Sequence, residues 1–114
     1  MEGKIDIPKP FERDIFLFDS HIAGTLFIAG IEKLETYINI DDRIEFLREP
    51  DNQYDEKAIL IRNANGIKLG YVPTEDNLIF ARLMGSGKLL FGKISKKDMK
   101  GNWPKIEFKI YLKE

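Results

Sequence analysis

Residues 58–72 read AILIRNANGIKLGYV and form the most clearly marked unit of the chain. Two apolar runs flank the segment Asn63-Ala64-Asn65-Gly66, in which the Asn-Gly pair tolerates the positive φ angles of a tight hairpin turn. Short apolar runs separated by turn residues are typical of strands in a small barrel or sandwich. The stretch therefore predicts an antiparallel hairpin built from residues 58–62 and 67–72.

Similar runs on both sides of this hairpin extend the pattern along the chain. In residues 106–112, Ile106, Phe108 and Ile110 alternate with charged residues and a tyrosine, as in a half-buried strand. The predicted strands are Phe16–Thr25, Arg43–Arg48, Ala58–Arg62, Ile67–Val72, Leu89–Ser95 and Ile106–Leu112. We predict a mainly β (α+β) fold, a small OB-like or SH3-like barrel of about six strands.

Two short helices are expected between these strands. Residues 31–38 and residues 75–84 both place apolar side chains on one helical face. For the second helix, Thr74 is the predicted N-cap, and Gly85 or Gly87 can end the helix.

The composition indicates one globular domain. The chain has 114 residues, of which 43% are hydrophobic and 32% charged. We expect residues 1–14, with Pro8 and Pro10, to form a flexible N-terminal arm, and residues 15–114 to form a single domain. Trp103 is expected to anchor a loop between the last two strands. The absence of cysteine, of a signal peptide and of a long apolar run predicts a cytoplasmic protein.

The charge is distributed unevenly. Residues 1–81 carry 9 Lys and Arg against 16 Asp and Glu, whereas residues 82–114 carry 9 against 3. A basic segment of this kind indicates an anionic partner, with Lys96 and Lys97 as candidate DNA-binding residues. The alternative is that these lysines only keep solvent-facing strands from pairing with other chains.

The residues expected of a catalytic centre are missing from the sequence. Gly85-Ser86-Gly87-Lys88 is similar to a phosphate-binding loop, but that motif requires glycine at position 82 and Ser or Thr at position 89. His21 is the single histidine, so no serine triad and no multi-histidine metal site can form. We therefore predict a protein that is not an enzyme and holds neither a metal nor a cofactor.

Residues 48–59, REPDNQYDEKAI, combine turn formers, an aromatic residue and acids between two predicted strands. Loops of this composition often carry function. Asn52 and Asp55 can cap backbone N–H groups, and Tyr54 can offer a flat face with a polar tip. Two interpretations stay open: these three residues form a binding site, or Asn52 and Asp55 only stabilise the turn while Tyr54 plugs one end of the barrel.

Three blocks of sequence resemble the HIRAN domain family. They are residues 21–25 (HIAGT), residues 48–59 and residues 69–73 (LGYVP), in that order. The resemblance implies a small OB-like barrel with a groove that binds DNA, in characterised relatives the 3′ end of a single strand. It also implies that Phe27, Asn52, Tyr54, Asp55 and Tyr71 are DNA-binding residues. Leu26 and Ile28 stand where fork-binding members have polar or aromatic residues.

These observations favour a nucleic-acid-binding module for single-stranded DNA or DNA 3′ ends, linked to DNA repair or replication-fork processing. A protein partner in the same processes is a further expectation. Base stacking on aromatic rings would tolerate any sequence. The alternative is a protein-interaction module that binds a peptide through a strand edge or the same groove. Lysines that line the groove beside Asn52 and Tyr54 would favour nucleic acid, and lysines scattered elsewhere would favour the peptide.

Overall fold

The computed structural model describes residues 13–24, 38–100 and 103–114. Within them, six strands form one antiparallel sheet with the order β1-β6-β5-β2-β3-β4. The helix α1 (Thr74–Gly85) connects β4 to β5. The strands are β1 (Asp14–His21), β2 (Arg43–Arg48), β3 (Ile59–Asn63), β4 (Lys68–Tyr71), β5 (Leu89–Lys100) and β6 (Trp103–Lys113).

The two edges of the sheet meet just after β1. The backbone N–H of Ala23 donates to the carbonyl of Tyr71 at 2.8 Å, and the N–H of Tyr71 donates back at 2.7 Å. This bridge joins the chain leaving β1 to β4 and closes the sheet into a small barrel. The predicted mainly β fold of about six strands is confirmed.

The core fills the barrel with side chains from one face of each strand. Ile106, Phe108 and Ile110 of β6 are almost fully buried, as the alternation in the sequence predicts. Phe80 of α1 packs edge-on against Phe46 of β2, with ring centroids 5.0 Å apart. The helix is thereby fixed against the barrel.

The predicted hairpin is present, with a different turn. The N–H of Gly66 donates to the carbonyl of Asn63 at 3.0 Å, and Gly66 has a φ of 82°. Among the described non-glycine residues, Asp41 alone has a positive φ, so Asn65 does not adopt the angle that a two-residue Asn-Gly turn would need. The loop has three residues, and Gly66 supplies the left-handed position.

The predicted N-cap of the helix is wrong. Thr74 is the first helical residue, and Pro73 occupies the N-cap position without a side-chain cap. The carbonyl of Pro73 accepts the N–H groups of Asp76 and Asn77 at 2.9 and 3.0 Å, which starts the helix one residue earlier than expected.

The predicted glycine stop is confirmed at Gly87, which has a φ of 83°. Its N–H donates to Met84, and the N–H of Lys88 donates to Leu83. This pair of hydrogen bonds is the Schellman arrangement that satisfies the last carbonyls of a helix.

The last two strands are longer than predicted. β5 continues five residues past Ser95, and β6 begins three residues before Ile106. After a register shift between Ile94 and Lys96, the two strands still pair up to Lys100 and Trp103. Backbone hydrogen bonds hold this extension, which the apolar alternation does not reveal.

Some expectations fall on parts that the structure leaves undescribed. Residues 1–12 of the arm, residues 31–37 of the first predicted helix and the side chain of Trp103 lie outside the described residues. In the described part of the chain, no helix has the length and apolar character needed to cross a membrane.

Candidate nucleic-acid interface

A groove of about 1180 Å³ opens beside the bridge that closes the barrel. Three segments line it: the end of β1, the loop between β2 and β3, and the junction between β4 and α1. We call residues 49–58 the groove loop. The lining residues are His21, Ala23, Gly24, Arg48, Glu49, Pro50, Asp51, Asn52, Gln53, Tyr54, Asp55, Ala58, Tyr71, Val72, Pro73, Thr74, Glu75 and Asn77.

Asn52 shapes the first half of the groove loop. Its amide oxygen accepts the backbone N–H groups of Tyr54 at 2.9 Å and Asp55 at 3.1 Å. Its amide nitrogen donates to the carboxylate of Glu49 at 3.1 Å. Because the oxygen already accepts two bonds, the group that Asn52 can still offer a ligand is its second amide hydrogen.

Asp55 shapes the second half of the groove loop. One carboxylate oxygen accepts the N–H of Lys57 at 2.9 Å, and the other accepts the side-chain amide of Asn77 at 2.7 Å. Asn77 is buried in α1, with 4% of its surface exposed. Asp55 therefore links the groove loop to the helix. Both contacts are those expected of a residue that stabilises the turn.

Tyr54 stands out from the groove loop with 87% of its surface exposed. It does not plug the barrel, so that interpretation of Tyr54 is wrong. An exposed ring at the rim of a concave surface presents a flat apolar face to a ligand.

Tyr71, the last residue of β4, also lines the groove and interacts with Glu49 of the groove loop. Burial raises the pKa of the Tyr71 hydroxyl above its usual range, and the hydrogen bond to Glu49 and the negative charge of that carboxylate raise the pKa further. Glu49 thus connects Asn52 on the loop with Tyr71 on β4. Although Glu49 belongs to the second block, the sequence alone does not single it out, because its partner on β4 is distant in sequence.

The groove itself is acidic. Arg48 is the one Lys or Arg among the described lining residues. The carboxylates in the lining are those of Glu49, Asp51, Asp55 and Glu75. No described lysine lines it. The described lysines of the basic third therefore do not supply the groove with phosphate contacts.

The predicted DNA-binding lysines lie on β5, outside the groove. The ammonium group of Lys96 is 3.5 Å from the carboxylate of Asp98 and 4.0 Å from that of Glu107. Lys97 also has an interaction partner. Their role in DNA binding stays a prediction.

A smaller cleft of about 360 Å³ adjoins the groove and shares Arg48 and Pro50 with it. Arg48, Lys57 and Arg82 line this cleft, together with the acid Glu56. Among the described residues, none of the three cations has a carboxylate within ion-pair distance. The sequence gives no signal for this cluster, because its members come from β2, the groove loop and α1.

The structure brings together four of the predicted site residues, Asn52, Tyr54, Asp55 and Tyr71, around one groove. Phe27 lies outside the described residues. Within the described part of the chain, no group of three or more His, Cys, Asp or Glu side chains is placed to hold a metal ion.

Comparison with known proteins identifies the family. The sequence profile of the HIRAN domain matches residues 15–114. The chain belongs to the HIRAN domain family. The match includes all three blocks on which the resemblance rests, so the HIRAN assignment made from the sequence is confirmed.

Curated relatives of this HIRAN chain are much longer proteins. It is 34% identical over 68 residues to the helicase-like transcription factor of Oryctolagus cuniculus, covering 58% of this chain and 7% of that protein. It is 31% identical over 67 residues to the human protein of the same name, covering 56% of this chain and 6% of that protein. The chain thus spans less than a tenth of the length of these relatives.

Solved structures share its fold. A protein from Lactobacillus plantarum matches with a TM-score of 0.80 at 25% identity, covering 88% of this chain and 95% of that one. The HLTF HIRAN domain in its DNA-bound conformation matches with a TM-score of 0.60 at 20% identity, covering 89% of this chain and 80% of that one. The barrel is therefore the HIRAN fold, and the HLTF domain is one that binds DNA.

Proposed function

We propose that this HIRAN domain binds DNA in the groove between the groove loop and the β4–α1 junction. The observation that carries the proposal is that the exposed ring of Tyr54 lines the same groove as Asn52 and Tyr71, within the blocks that the family shares. The DNA-bound relative of the same fold supports it. The ligand is a single strand of DNA whose 3′ end enters the groove. Such binding is expected of a module that acts in DNA repair or replication-fork processing.

Binding in this groove depends on stacking and hydrogen bonds more than on charge. Four carboxylates line the groove, so a strand cannot be held there by many phosphate contacts. The ring of Tyr54 can stack on a base of any identity. Arg48 and the adjoining cleft with Lys57 and Arg82 provide cations beside the groove.

The test is a fluorescence-anisotropy titration of a labelled single strand of about six nucleotides at low salt. Tyr54→Ala should weaken binding by about 1–3 kcal/mol, or roughly 5- to 150-fold in Kd, because a stacked base loses its platform. Tyr54→Phe is the matched control, since it keeps the ring. Equal affinity of wild type and Tyr54→Ala would show that the strand does not stack in this groove.

End recognition has its own comparison in the same assay. A strand that ends in a 3′ hydroxyl should bind more tightly than one that ends in a 3′ phosphate, because the added negative charge meets the carboxylates of the groove. If the wild type binds both strands equally, recognition of the 3′ end is wrong for this chain.

A second candidate is a peptide-binding module that uses the same groove. The acidic lining and the position of Lys96 outside the groove favour it, because carboxylates attract a basic peptide. Absence of DNA binding even at low salt would put this candidate first.

A further inference from the structure

The outward face of the sheet carries a row of three cations across three neighbouring strands. Arg43 of β2 lies opposite Lys93 of β5 in the register of the sheet, and Lys93 lies opposite Lys109 of β6. We call these three residues the cation row. Asp19 of β1 stands at the end of the row, opposite Lys109.

Placing like charges directly opposite each other destabilises a sheet. The ammonium group of Lys109 has a partner, the carboxylate of Asp19 at 3.5 Å. Arg43 and Lys93 have no carboxylate within ion-pair distance among the described residues. The sheet therefore keeps two uncompensated cations side by side, a cost that an anionic partner would remove.

Aromatic rings lie next to the cation row. Phe91, Tyr111 and Phe16 oppose one another across β5, β6 and β1, and the rings of Phe91 and Tyr111 are stacked 5.2 Å apart. Phe16 keeps 47% of its surface exposed.

The cations lie over these rings. The guanidinium of Arg43 is 4.1 Å from the centre of the Phe91 ring, and the ammonium of Lys109 is 4.9 Å from that of Phe16. The corresponding distance from Lys93 to Tyr111 is 5.8 Å. Such pairs occur about once per 70–80 residues in proteins, so this face concentrates them. The rings hold the cations in place while Arg43 and Lys93 stay exposed.

This face is continuous with the groove through His21. His21 of β1 lines the groove, and its register partner is Glu107 of β6. Asp19 and Lys109 occupy the next outward positions on the same two strands. Along the described residues of β1 and β6, a strand leaving the groove at His21 therefore comes next to the cation row.

We propose that the cation row binds the phosphodiester backbone of a single strand whose end occupies the groove. The proposal rests on the proposed function and extends it, because the acidic groove offers few phosphate contacts and the row supplies them. Phe16, beside the row, offers its exposed ring to a base of the same strand.

The test compares two lengths of single-stranded DNA, about six and about twenty nucleotides, chosen to fill the groove alone and to reach beyond it. Kd is measured between about 50 and 200 mM salt for the wild type, for Arg43→Gln/Lys93→Gln and for the control Lys68→Gln/Lys88→Gln. The control removes the same charge from exposed positions outside the row and the groove.

The salt slope is the fall in the logarithm of the affinity per unit rise in the logarithm of the salt concentration. For the longer strand, the row variant should lower this slope by about 1.4, or about 0.7 for each lost phosphate contact. The affinity that is lost between about 50 and 200 mM salt should then be about sevenfold smaller for the row variant than for the wild type. Lys93→Gln alone should give about half of the change in slope. The shorter strand and the control should keep the wild-type slope.

Failure of this proposal is distinguishable from failure of the proposed function. If the shorter strand binds but the row variant leaves the longer strand's slope unchanged, the cation row does not bind the backbone. If the shorter strand does not bind, while the row variant still changes the slope for the longer strand, the groove assignment fails and the row stands. Competition by polyglutamate as strong as by DNA of equal charge would assign the face to an acidic polypeptide and overturn the proposal.

Discussion

Asp55 joins the groove loop to the helix through one carboxylate oxygen and holds the backbone of the loop through the other, so it stabilises the loop whether or not it contacts a ligand. Its two carboxylate oxygens accept the N–H of Lys57 and the side-chain amide of buried Asn77. A variant at this position changes the shape of the groove as well as its charge, so its effect on DNA binding is not a simple measure of contact with the ligand.

Asp55→Asn should lower the free energy of unfolding by about 1–3 kcal/mol, because an amide keeps one acceptor oxygen and turns a donor toward one of the two N–H groups. Thermal denaturation measures this as a fall in Tm of about 4–8 °C per kcal/mol. Asp51→Asn is the control, since Asp51 lines the groove and is exposed.

The double variant Asp55→Asn/Asn77→Asp should recover part of the loss, because it again places one donor opposite one acceptor. An Asp55→Asn variant with an unchanged Tm but a weaker affinity for DNA would show that the carboxylate serves the ligand instead of the loop.

Tyr71 gives the groove a dependence on pH at the alkaline end. Its raised pKa means that folding favours the protonated hydroxyl, so its contribution to stability is complete below the unfolded pKa of about 10 and is lost as pH rises through the folded pKa. The difference in Tm between wild type and Tyr71→Phe should therefore stay constant from about pH 7 to 9 and shrink above about pH 10. A difference that widens above about pH 10 would contradict the raised pKa of Tyr71.

The site residues differ in how far the sequence could predict them. Asn52 and Asp55 belong to a recognisable turn, and both their capping role and their place beside the groove follow from that segment. Glu49 and Asn77 could not be selected, because their partners lie on β4 and in the groove loop respectively, and only the folded chain brings them together.

The β3–β4 hairpin depends on one backbone angle. Gly66 has a φ of 82°, and among the described residues no atom outside Gly66 and its two chain neighbours lies within 4 Å of the position that a Cβ would take, so Gly66→Ala tests backbone strain alone. It should lower the free energy of unfolding by about 1 kcal/mol.

Gly85→Ala is the matched control for the hairpin variant. Gly85 ends α1 without a positive φ, and among the described residues no atom beyond its chain neighbours and the adjacent helix backbone lies within 4 Å of the place where its Cβ would stand. Alanine there should therefore be neutral or slightly stabilising. Chemical denaturation of both variants measures the difference. Equal stability of Gly66→Ala and wild type would mean that the turn does not require the left-handed angle.

The elements follow from the sequence where apolar periodicity sets them. The bounds predicted for β2, Arg43–Arg48, are the observed ones. The errors lie where backbone hydrogen bonding decides the boundary: Pro73 starts the helix in place of Thr74, and β5 pairs with β6 well past Ser95. Sequence periodicity contains no signal for either event.

The whole molecule separates its charges in a way that the sequence only suggests. The basic last third forms β5 and β6, whereas the acids of the earlier segments line the groove. A count of charges along the chain detects the asymmetry, but the strand order that places the lysines on another face results from long-range pairing. A basic segment in the sequence therefore does not by itself predict a basic groove.

The groove assignment is tested by mapping backbone amide shifts in an NMR titration with a single strand of about six nucleotides. Among the described residues, we predict perturbations confined to residues 48–58 and 71–77 and to His21, Ala23 and Gly24, the walls of the groove. The same titration with Tyr54→Ala should require a higher DNA concentration for equal shifts. Saturable shifts that cluster on another face, or no shifts at low salt, would contradict the conclusion that this groove binds DNA.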